Sequence, residues 1–568
     1  MIVVDQDKNR EFRAKGWWTD ATLHGMLAKH VAAKPDDEAL VDPLNLSAIS
    51  DLSPVRLSWK EVASGVEQRA AVLTKIGLKK DDIVVIQLPN SVELTLVLLA
   101  CMTLGVIASP APAQYRAQEL RGIINKTAAR AAITVGRIGK HPHAETFLGL
   151  KADCPTLDLI LVAGQPVEGS ISLDRAIGEL TAEDEGALAD ALEMSPATAD
   201  DLVTICWTSG TEADPKGVPR NHNEWIIMGQ GCAAGAKLQP GERLLNPFPM
   251  VNMAGISTGL CSWLEIGGVL VQHHPFDLEV FLKQIEDERI NFTVAPPAVL
   301  SALLANPDVL SNIDFGRLDR IGSGSAPLSD WMVYTFHDQH GVEIINIFGS
   351  NEGASFAACI EDVPKAEDRA VCFPRFGDHG FDWSYRLADR IKTRLVDPET
   401  EREILDPETP GELRIKGPVI FSGYWKAPDV TERAFDAAGW FRTGDLFAIT
   451  GDRNQYYRFV GRLKDIIIRG GMNISAEEIE RYLLDHPSIL EAAVIGSPDQ
   501  RLGERLHACV VIKGEEVSIE EINRFLTQEK QIAVYKQIEK LSILPALPRN
   551  PVGKIVKRDL REKFGSVL

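Results

Sequence analysis

Thr208-Ser-Gly-Thr-Glu-Ala-Asp-Pro-Lys-Gly217 gathers hydroxyls, two glycines and a lysine directly after the apolar run Leu-Val-Thr-Ile-Cys-Trp207. A loop of this composition behind a buried strand can hold phosphate. Glycine lets backbone N–H groups crowd an anion, and Ser and Thr hydroxyls add donors. It is not a Walker loop, whose lysine follows its second glycine and precedes Ser or Thr. Four more stretches carry chemistry of a matching kind. Phe348-Gly-Ser-Asn-Glu-Gly353 offers an aromatic face, a tight turn and a carboxylate. Trp440-Phe-Arg-Thr-Gly-Asp445 offers a carboxylate on a turn, suited to a pair of sugar hydroxyls. Gly461-Arg462 supplies a permanent cation, and Gly553-Lys554 a lysine behind a flexible residue. A nucleotide needs a stacking surface, ribose acceptors, phosphate donors and a metal ligand, and these pieces supply each once. Taken singly, each is equally a polar turn.

Positioning such groups takes a scaffold of strand ends. From Trp17 to about Ala199 the pattern alternates: helices at Leu23–Ala32, Ser58–Ile76, Glu93–Leu104 and Ala117–Ala128, strands at Asp82–Leu88, Val106–Pro110, Ala131–Val135 and Leu157–Val162. Ser58 is a cap candidate, and the alternation implies an α/β sheet, much of it parallel. Ser170–Ala199 reads as an exposed acidic helix and connection. Beyond the loop the alternation resumes, with helices over Trp225–Ala236, Met253–Ile266 and Leu278–Glu288 and strands over Arg243–Phe248, Gly268–Gln272, Phe292–Ala295 and Val342–Phe348. Arg320–Pro327 reads as a small-residue turn. From about Phe381 the period moves towards two, as in a β-rich subdomain. Past Gly461-Arg-Leu-Lys-Asp465 comes a compact α+β pattern of about a hundred residues, a common domain size. The fold expected is thus multidomain α/β: residues 1–462 a large domain with a β-rich subdomain, residues 463–568 a small mobile α+β domain.

Composition narrows the function. With 568 residues, two or more domains are expected. Sixty basic against eighty acidic residues give a net charge of −20, which argues against a nucleic-acid surface. Any anionic ligand must then meet a local basic cluster, and Pro548–Lys563 carries one: Arg549, Lys554, Lys557, Arg558, Arg561 and Lys563. On charge alone it is equally a solvated tail. No window approaches the ~20 apolar residues of a membrane span. The eight cysteines are scattered without a C-x-x-C pair, which favours reduced thiols in a cytoplasm. His273 and His274 lack a third ligand at metal spacing.

In this order, the five stretches resemble the adenylate-forming superfamily of acyl-CoA synthetases, peptide-synthetase adenylation domains and beetle luciferases. Gly411-Glu-Leu-Arg-Ile-Lys-Gly417, Gly423-Tyr-Trp425 and Gly470-Gly-Met-Asn-Ile-Ser475 extend the likeness, which runs from about Trp17 to the C-terminus. The resemblance implies an acid–thiol ligase acting on a carboxylic acid, ATP with Mg²⁺, and coenzyme A, with a homodimer as one possible state. It implies that Thr208, Ser209, Gly210, Thr211 and Lys216 close over the ATP phosphates. Ser325, Ala326 and Pro327 would border adenine, with Phe348 stacking on it and Asn346, Gly349 and Asn351 beside the nucleotide. Glu352, with Thr208, would hold the metal. Asp445 would take the ribose hydroxyls and Arg462 would reach ribose or phosphate. Lys554 would contact the carboxylate and the α-phosphate; Lys554, Glu352 and Arg462 would be the catalytic set. Asp465 would be the hinge, and Gly470 and Gly471 would line the CoA tunnel. Gly322, Ser323, Gly324, Gly353 and Asn252 would border the acyl group, with His222 and Trp225 forming either a pocket wall or helix-to-sheet packing.

The chain departs from the family where Glu212 and Ala213 stand for a hydroxyl residue and a glycine, and an anion there calls for a cation such as Arg220. Asn351 stands for threonine and can still donate through its amide. Asn252 stands where many members carry histidine. The acid expected is medium-sized, alicyclic or aromatic. The rival readings are an adenylation enzyme loading a carrier-protein phosphopantetheine and a nucleotide-binding regulator that has lost catalysis.

Overall fold

The computed structural model describes residues 1–208, 215–306, 310, 315–324, 328–377, 380–514, 517–550 and 553–564, except the side chain at position 473. Two mostly parallel sheets face one another. In the seven-stranded sheet, Ile83–Gln87, Ile107–Pro110, Ala131–Val135, Leu159–Ala163 and Leu202–Trp207 run parallel. In the eight-stranded sheet, Arg243–Asn246, Val269–Gln272, Phe292–Val294, Arg320–Gly324 and Glu343–Gly349 do the same. One apolar cluster takes Val84 and Ile86 from the first sheet and Leu244 and Leu270 from the second, so the main core lies between the layers.

Local chemistry explains the helices in that core. Val92–Leu104 is buried at every residue but Thr103, as a helix apolar all round must be. Ser91 Oγ caps it from Leu94 N–H, and Gly105, at φ 70°, ends it in the left-handed region. Trp59–Lys75 starts where the Glu61 carboxylate accepts from Ser58 N–H at 2.7 Å. Its Trp59 ring stacks on Trp263 with centroids 4.7 Å apart, both side chains having no exposed surface.

The third sheet is six-stranded and antiparallel, in the order Cys372–Pro374, Tyr456–Arg462, Phe441–Thr450, Gly411–Lys416, Lys392–Val396, Glu403–Ile404. It begins nine residues earlier than the change of period suggests. A last sheet of five strands, with the helices Ala476–Leu484, Ile519–Gln528 and Lys557–Phe564, forms apolar clusters from Ile467 onward alone.

Several local expectations are corrected. Arg320–Gly324 is a parallel strand, although its glycines read as a turn. They are required by crowding: a Cβ on Gly324 would lie 1.9 Å from the Ile347 carbonyl oxygen, and one on Gly322 2.7 Å from Ile347 Cδ1. Thr443-Gly-Asp445 lies within the ten-residue strand Phe441–Thr450 rather than on a turn. The helix after the phosphate loop starts at His222, three residues early, because Asn221 and Glu224 form a capping box. The helix expected over Met253–Ile266 contains a π-helical stretch, Ile256–Cys261.

Trp59→Ala opens the core between the layers, and we expect a loss of about 3–5 kcal/mol. Urea unfolding followed by circular dichroism measures it, as a lower midpoint of the transition that reports the large region.

Candidate active site

The neck of the phosphate loop is closed by its own backbone. Thr208 N–H donates to the Lys216 carbonyl at 2.9 Å, and Lys216 N–H donates to Thr208 Oγ1 at 3.3 Å. The chain then returns as Gly217–Asn221, antiparallel to Leu202–Trp207, with Trp207 opposite Gly217. Ser209, Gly210 and Thr211, with Glu212 and Ala213, lie outside the described residues, as do Ser325, Ala326 and Pro327.

Glu352 is brought to this neck by a chain of contacts. Asn351 Nδ2 donates to the Trp207 carbonyl at 3.3 Å, and Asn351 Oδ1 accepts from Met253 N–H at 2.8 Å. The amide expected to reach phosphate therefore pins the turn. Tyr424 Oη donates to Glu352 Oε1 at 2.8 Å, and the Lys216 ammonium stands 5.5 Å above the Tyr424 ring. Gly353 sits at φ 110°, where a Cβ would lie 1.9 Å from the Val419 carbonyl oxygen, so this position demands glycine for both reasons. Arg220, the cation considered as a partner for Glu212, donates to the carbonyls of Asn351 and Val419; Glu212 itself lies outside the described residues. The Glu352 carboxylate and Thr208 hydroxyl are hard oxygen donors of the type Mg²⁺ takes, and Tyr424 occupies only one Glu352 oxygen among the described residues.

A cavity of about 170 Å³ opens at the end of Glu343–Gly349. Phe348, Gly349 and Asn346 line it together with Asp445, Arg462 and Lys554. Phe348 is fixed by an edge contact with Phe447, centroids 5.2 Å apart, and Asn346 Nδ2 is tied to the carbonyls of Arg369 and Ala370 at 3.1 and 2.9 Å. Asp445 and Arg462 are cross-strand partners, with Nε 3.1 Å from Oδ1. Burial pushes the Asp445 carboxyl up to about 6, against the pull of Arg462 and Lys554. Lys554 is delivered by a turn in which its N–H donates to Asn550 Oδ1 at 2.9 Å, with Gly553 at φ 83°. Burial and then Arg462 hold its ammonium below the usual lysine range, while Asp445 and Glu352 oppose them.

Three of the other tail cations are paired elsewhere. Lys557 lies between Glu477 at 3.3 Å and Glu480 at 2.8 Å, Arg561 holds Asp465 at 2.6 Å and Arg549 holds Glu491 at 2.8 Å. The basic cluster is thus a clasp from which Lys554 alone lines the cavity. Burial works against ionising Asp465, but Lys557 and Arg561 keep its carboxyl below the usual range. Gly470 and Gly471 sit at φ 58° and 82° in the exposed hairpin between Ile466–Arg469 and Met472–Ser475, apart from the cavity lining.

The acyl candidates divide. Ile347 lines that cavity and also a smaller one of about 20 Å³ that Cys232, Thr258, Ser355 and Tyr385 help to enclose. Gly322 makes room for Ile347, while Ser323 Oγ donates to the Ala295 carbonyl at 2.8 Å. Asn252 Oδ1 caps the next helical turn from Gly255 N–H at 3.2 Å. His222 and Trp225 line neither cavity. His222 Nδ1 accepts from Leu23 N–H at 3.1 Å, and burial pushes its ring down to about 3, so it stays neutral. Trp225 Nε1 donates to Thr204 Oγ1 at 2.8 Å, inside the helix-to-sheet packing. Sequence reasoning gave no role to Tyr424, although it quoted Gly423-Tyr-Trp425, and missed Tyr385; nothing local marks Tyr385.

Gly353→Ala sets a Cβ against a backbone oxygen, whereas at Gly439, φ 77°, the nearest atom would be Lys416 Nζ at 3.9 Å. Gly439→Ala is expected to cost about 1–2 kcal/mol for the left-handed backbone alone, and Gly353→Ala clearly more, as read by paired urea-unfolding curves.

Comparison with known proteins gives the family and the fold. The AMP-binding enzyme family model matches residues 27–425, and the AMP-binding enzyme C-terminal domain model matches residues 478–554. The chain is 30% identical to the 2-hydroxy-7-methoxy-5-methyl-1-naphthoate–CoA ligase of Streptomyces carzinostaticus, covering 98% of this chain and 96% of that one. It is also 30% identical to the medium-chain fatty-acid–CoA ligase of Escherichia coli, covering 99% and 94%. Among solved structures, the anthranilate CoA ligase AuaEII with anthranoyl-AMP superposes with a TM-score of 0.80 at 21% identity, over 96% and 97% of the two chains. ATP-bound MatB from Rhodopseudomonas palustris gives 0.78 at 25% identity, over 96% and 99%. The chain belongs to the AMP-binding enzymes, in the acyl-CoA synthetase branch of the adenylate-forming superfamily.

Proposed function

We propose that this enzyme joins a medium-sized alicyclic or aromatic carboxylic acid to coenzyme A through an acyl-adenylate, releasing pyrophosphate and then AMP. One observation carries the reading: Phe348, Asp445, Arg462 and Lys554 converge on one cavity, with a second, smaller cavity across Ile347. The names of the two relatives at 30% identity, a naphthoate and a medium-chain fatty acid ligase, support the size of acid and the CoA acceptor. The scattered thiols, none in a disulfide, suit a cytoplasmic enzyme.

In the first half-reaction a carboxylate oxygen attacks the α-phosphorus and pyrophosphate leaves. The attacking group and its target are both anionic, so the barrier falls where cations face the charge that builds up. Lys554 would lie between the carboxylate and the α-phosphate, Arg462 would reach the ribose or phosphate, and Asp445 would accept the two ribose hydroxyls. Lys216 and the loop ahead of it would hold the outer phosphates. Glu352 and Thr208 would hold Mg²⁺, which supplies further neutralisation of phosphate charge. In the second half-reaction the CoA thiol displaces AMP, a good leaving group, without a protein nucleophile. Residues 463–568 would turn about Asp465 between the steps, withdrawing Lys554 and presenting Gly470 and Gly471.

Lys554→Ala is expected to slow adenylation on the order of 100- to 1,000-fold yet still convert supplied acyl-AMP and CoA to thioester. Single-turnover assays of the two half-reactions measure this, and equal loss of both would refute the role given to Lys554. A phosphopantetheinylated carrier protein in place of CoA should yield no thioester.

Asp445 adds a pH signature. Its carboxyl titrates at about 6, so it is ionised above that pH and protonated below it. As pH falls, the acceptor for the ribose hydroxyls is lost and the dissociation constant for ATP rises, about tenfold by pH 5 if only the ionised form binds. Asp445→Asn should bind weakly throughout. Protonation of ATP itself acts on both proteins, so the difference between their calorimetric profiles isolates Asp445.

A further inference from the structure

Arg220 is fully buried, on the strand that leaves the phosphate loop. Its Nε and Nη2 donate to the Asn351 carbonyl at 3.1 and 2.6 Å, and its Nη1 donates to the Val419 carbonyl at 2.6 Å. Among the described residues it bonds to no carboxylate. Taking a guanidinium out of water costs several kcal/mol before its contacts are counted, and carbonyl dipoles compensate less than an ion pair. Packing alone would be better served by an apolar side chain of the same volume, so the fork shape and the charge call for another explanation.

The tethered peptide supplies it. The Asn351 carbonyl is one peptide ahead of Glu352, whose own carbonyl accepts from Phe421 N–H at 2.9 Å. With Tyr424 on Oε1, Glu352 is held behind, ahead and at its carboxylate. Gly353 bends away at once, and a Cβ there would lie 2.7 Å from Arg220 Nη2. The guanidinium therefore ties three segments: the strand Gly217–Asn221, the turn carrying Glu352, and the crossover at Val419.

We propose that Arg220 is a positioning residue for the Glu352 carboxylate, fixing the turn that carries it against the strand Gly217–Asn221. This rests on the proposed role of Glu352. Arg carries the fork that binds two carbonyls together; Lys keeps the charge without the fork. Groups that orient a metal ligand typically change metal affinity 10- to 100-fold when removed.

The test compares wild type, R220K, R220M and E352Q. Mn²⁺ binding in the presence of a non-hydrolysable ATP analogue is titrated by electron paramagnetic resonance, and thermal unfolding is recorded alongside. R220K is expected to weaken Mn²⁺ binding on the order of 10- to 100-fold, R220M at least as much, and R220K/E352Q no more than E352Q alone. If E352Q weakens Mn²⁺ binding while R220K and R220M keep the wild-type constant, Arg220 is a structural clamp only, however far the melting temperature falls. If E352Q keeps the wild-type constant, the role of Glu352 fails first and the proposal with it. Should R220M not fold, R220K, which retains the charge and most of the volume, decides alone.

Discussion

A chain with a formal charge of −20 can take up a nucleotide only where cations are gathered and held. The rest of the site depends on that constraint. Arg462 is set by its cross-strand partner Asp445, and Lys554 by a turn closed on Asn550. Lys557 and Arg561, three and seven residues past Lys554, are bound to Glu477, Glu480 and Asp465. Burial tunes the groups so held: it depresses Lys554, with Arg462 adding to the effect, and raises Asp445 against the pull of Arg462 and Lys554. Perturbations of this kind in a cleft mark a functional site more strongly than either residue does alone.

Close packing of backbone does the complementary task of keeping the site open and its walls fixed. Gly324 lets Arg320–Gly324 approach the carbonyl of Ile347, the residue shared by both cavities, and Gly353 lets the Glu352 turn approach Val419. Each glycine moves a wall by an amount that a methyl group would forbid. The π-helical stretch Ile256–Cys261, against the helix carrying Gly229, is a third such approach, since a Cβ on Gly229 would lie 2.8 Å from Cys261 Cβ. Irregular helices of this type recur at functional sites.

Much of this was legible in the sequence. The α/β alternation and the order of the polar stretches pointed to the fold and the family, because strand ends and turn chemistry are local properties. Arg320–Gly324 and Thr443-Gly-Asp445 were misread as turns because the glycines that serve close strand approach are the same residue that serves turns. Asn351 and Asn346 look like free donors in a sequence, yet their amides are consumed by Trp207, Met253, Arg369 and Ala370. His222 offers an imidazole by type but is buried against Leu23, a contact spanning 199 positions that no local pattern announces. Tyr424 and Tyr385 were missed as parts of the site, and Arg220 was given only Glu212 as a partner, for the same reason: their meaning lies in partners far along the chain.

The converging groups Phe348, Asp445, Arg462 and Lys554 are proposed to form one adenylation site for a carboxylic acid. Exchange of labelled pyrophosphate into ATP, across a panel of aromatic, alicyclic, medium-chain and short-chain acids, tests it most directly. Exchange is expected to require both an acid and Mg²⁺, and to be strongest for ring-bearing or medium-chain acids and weak for acetate. Tight ATP binding with no exchange for any acid would contradict it and leave a nucleotide-binding protein without the chemistry.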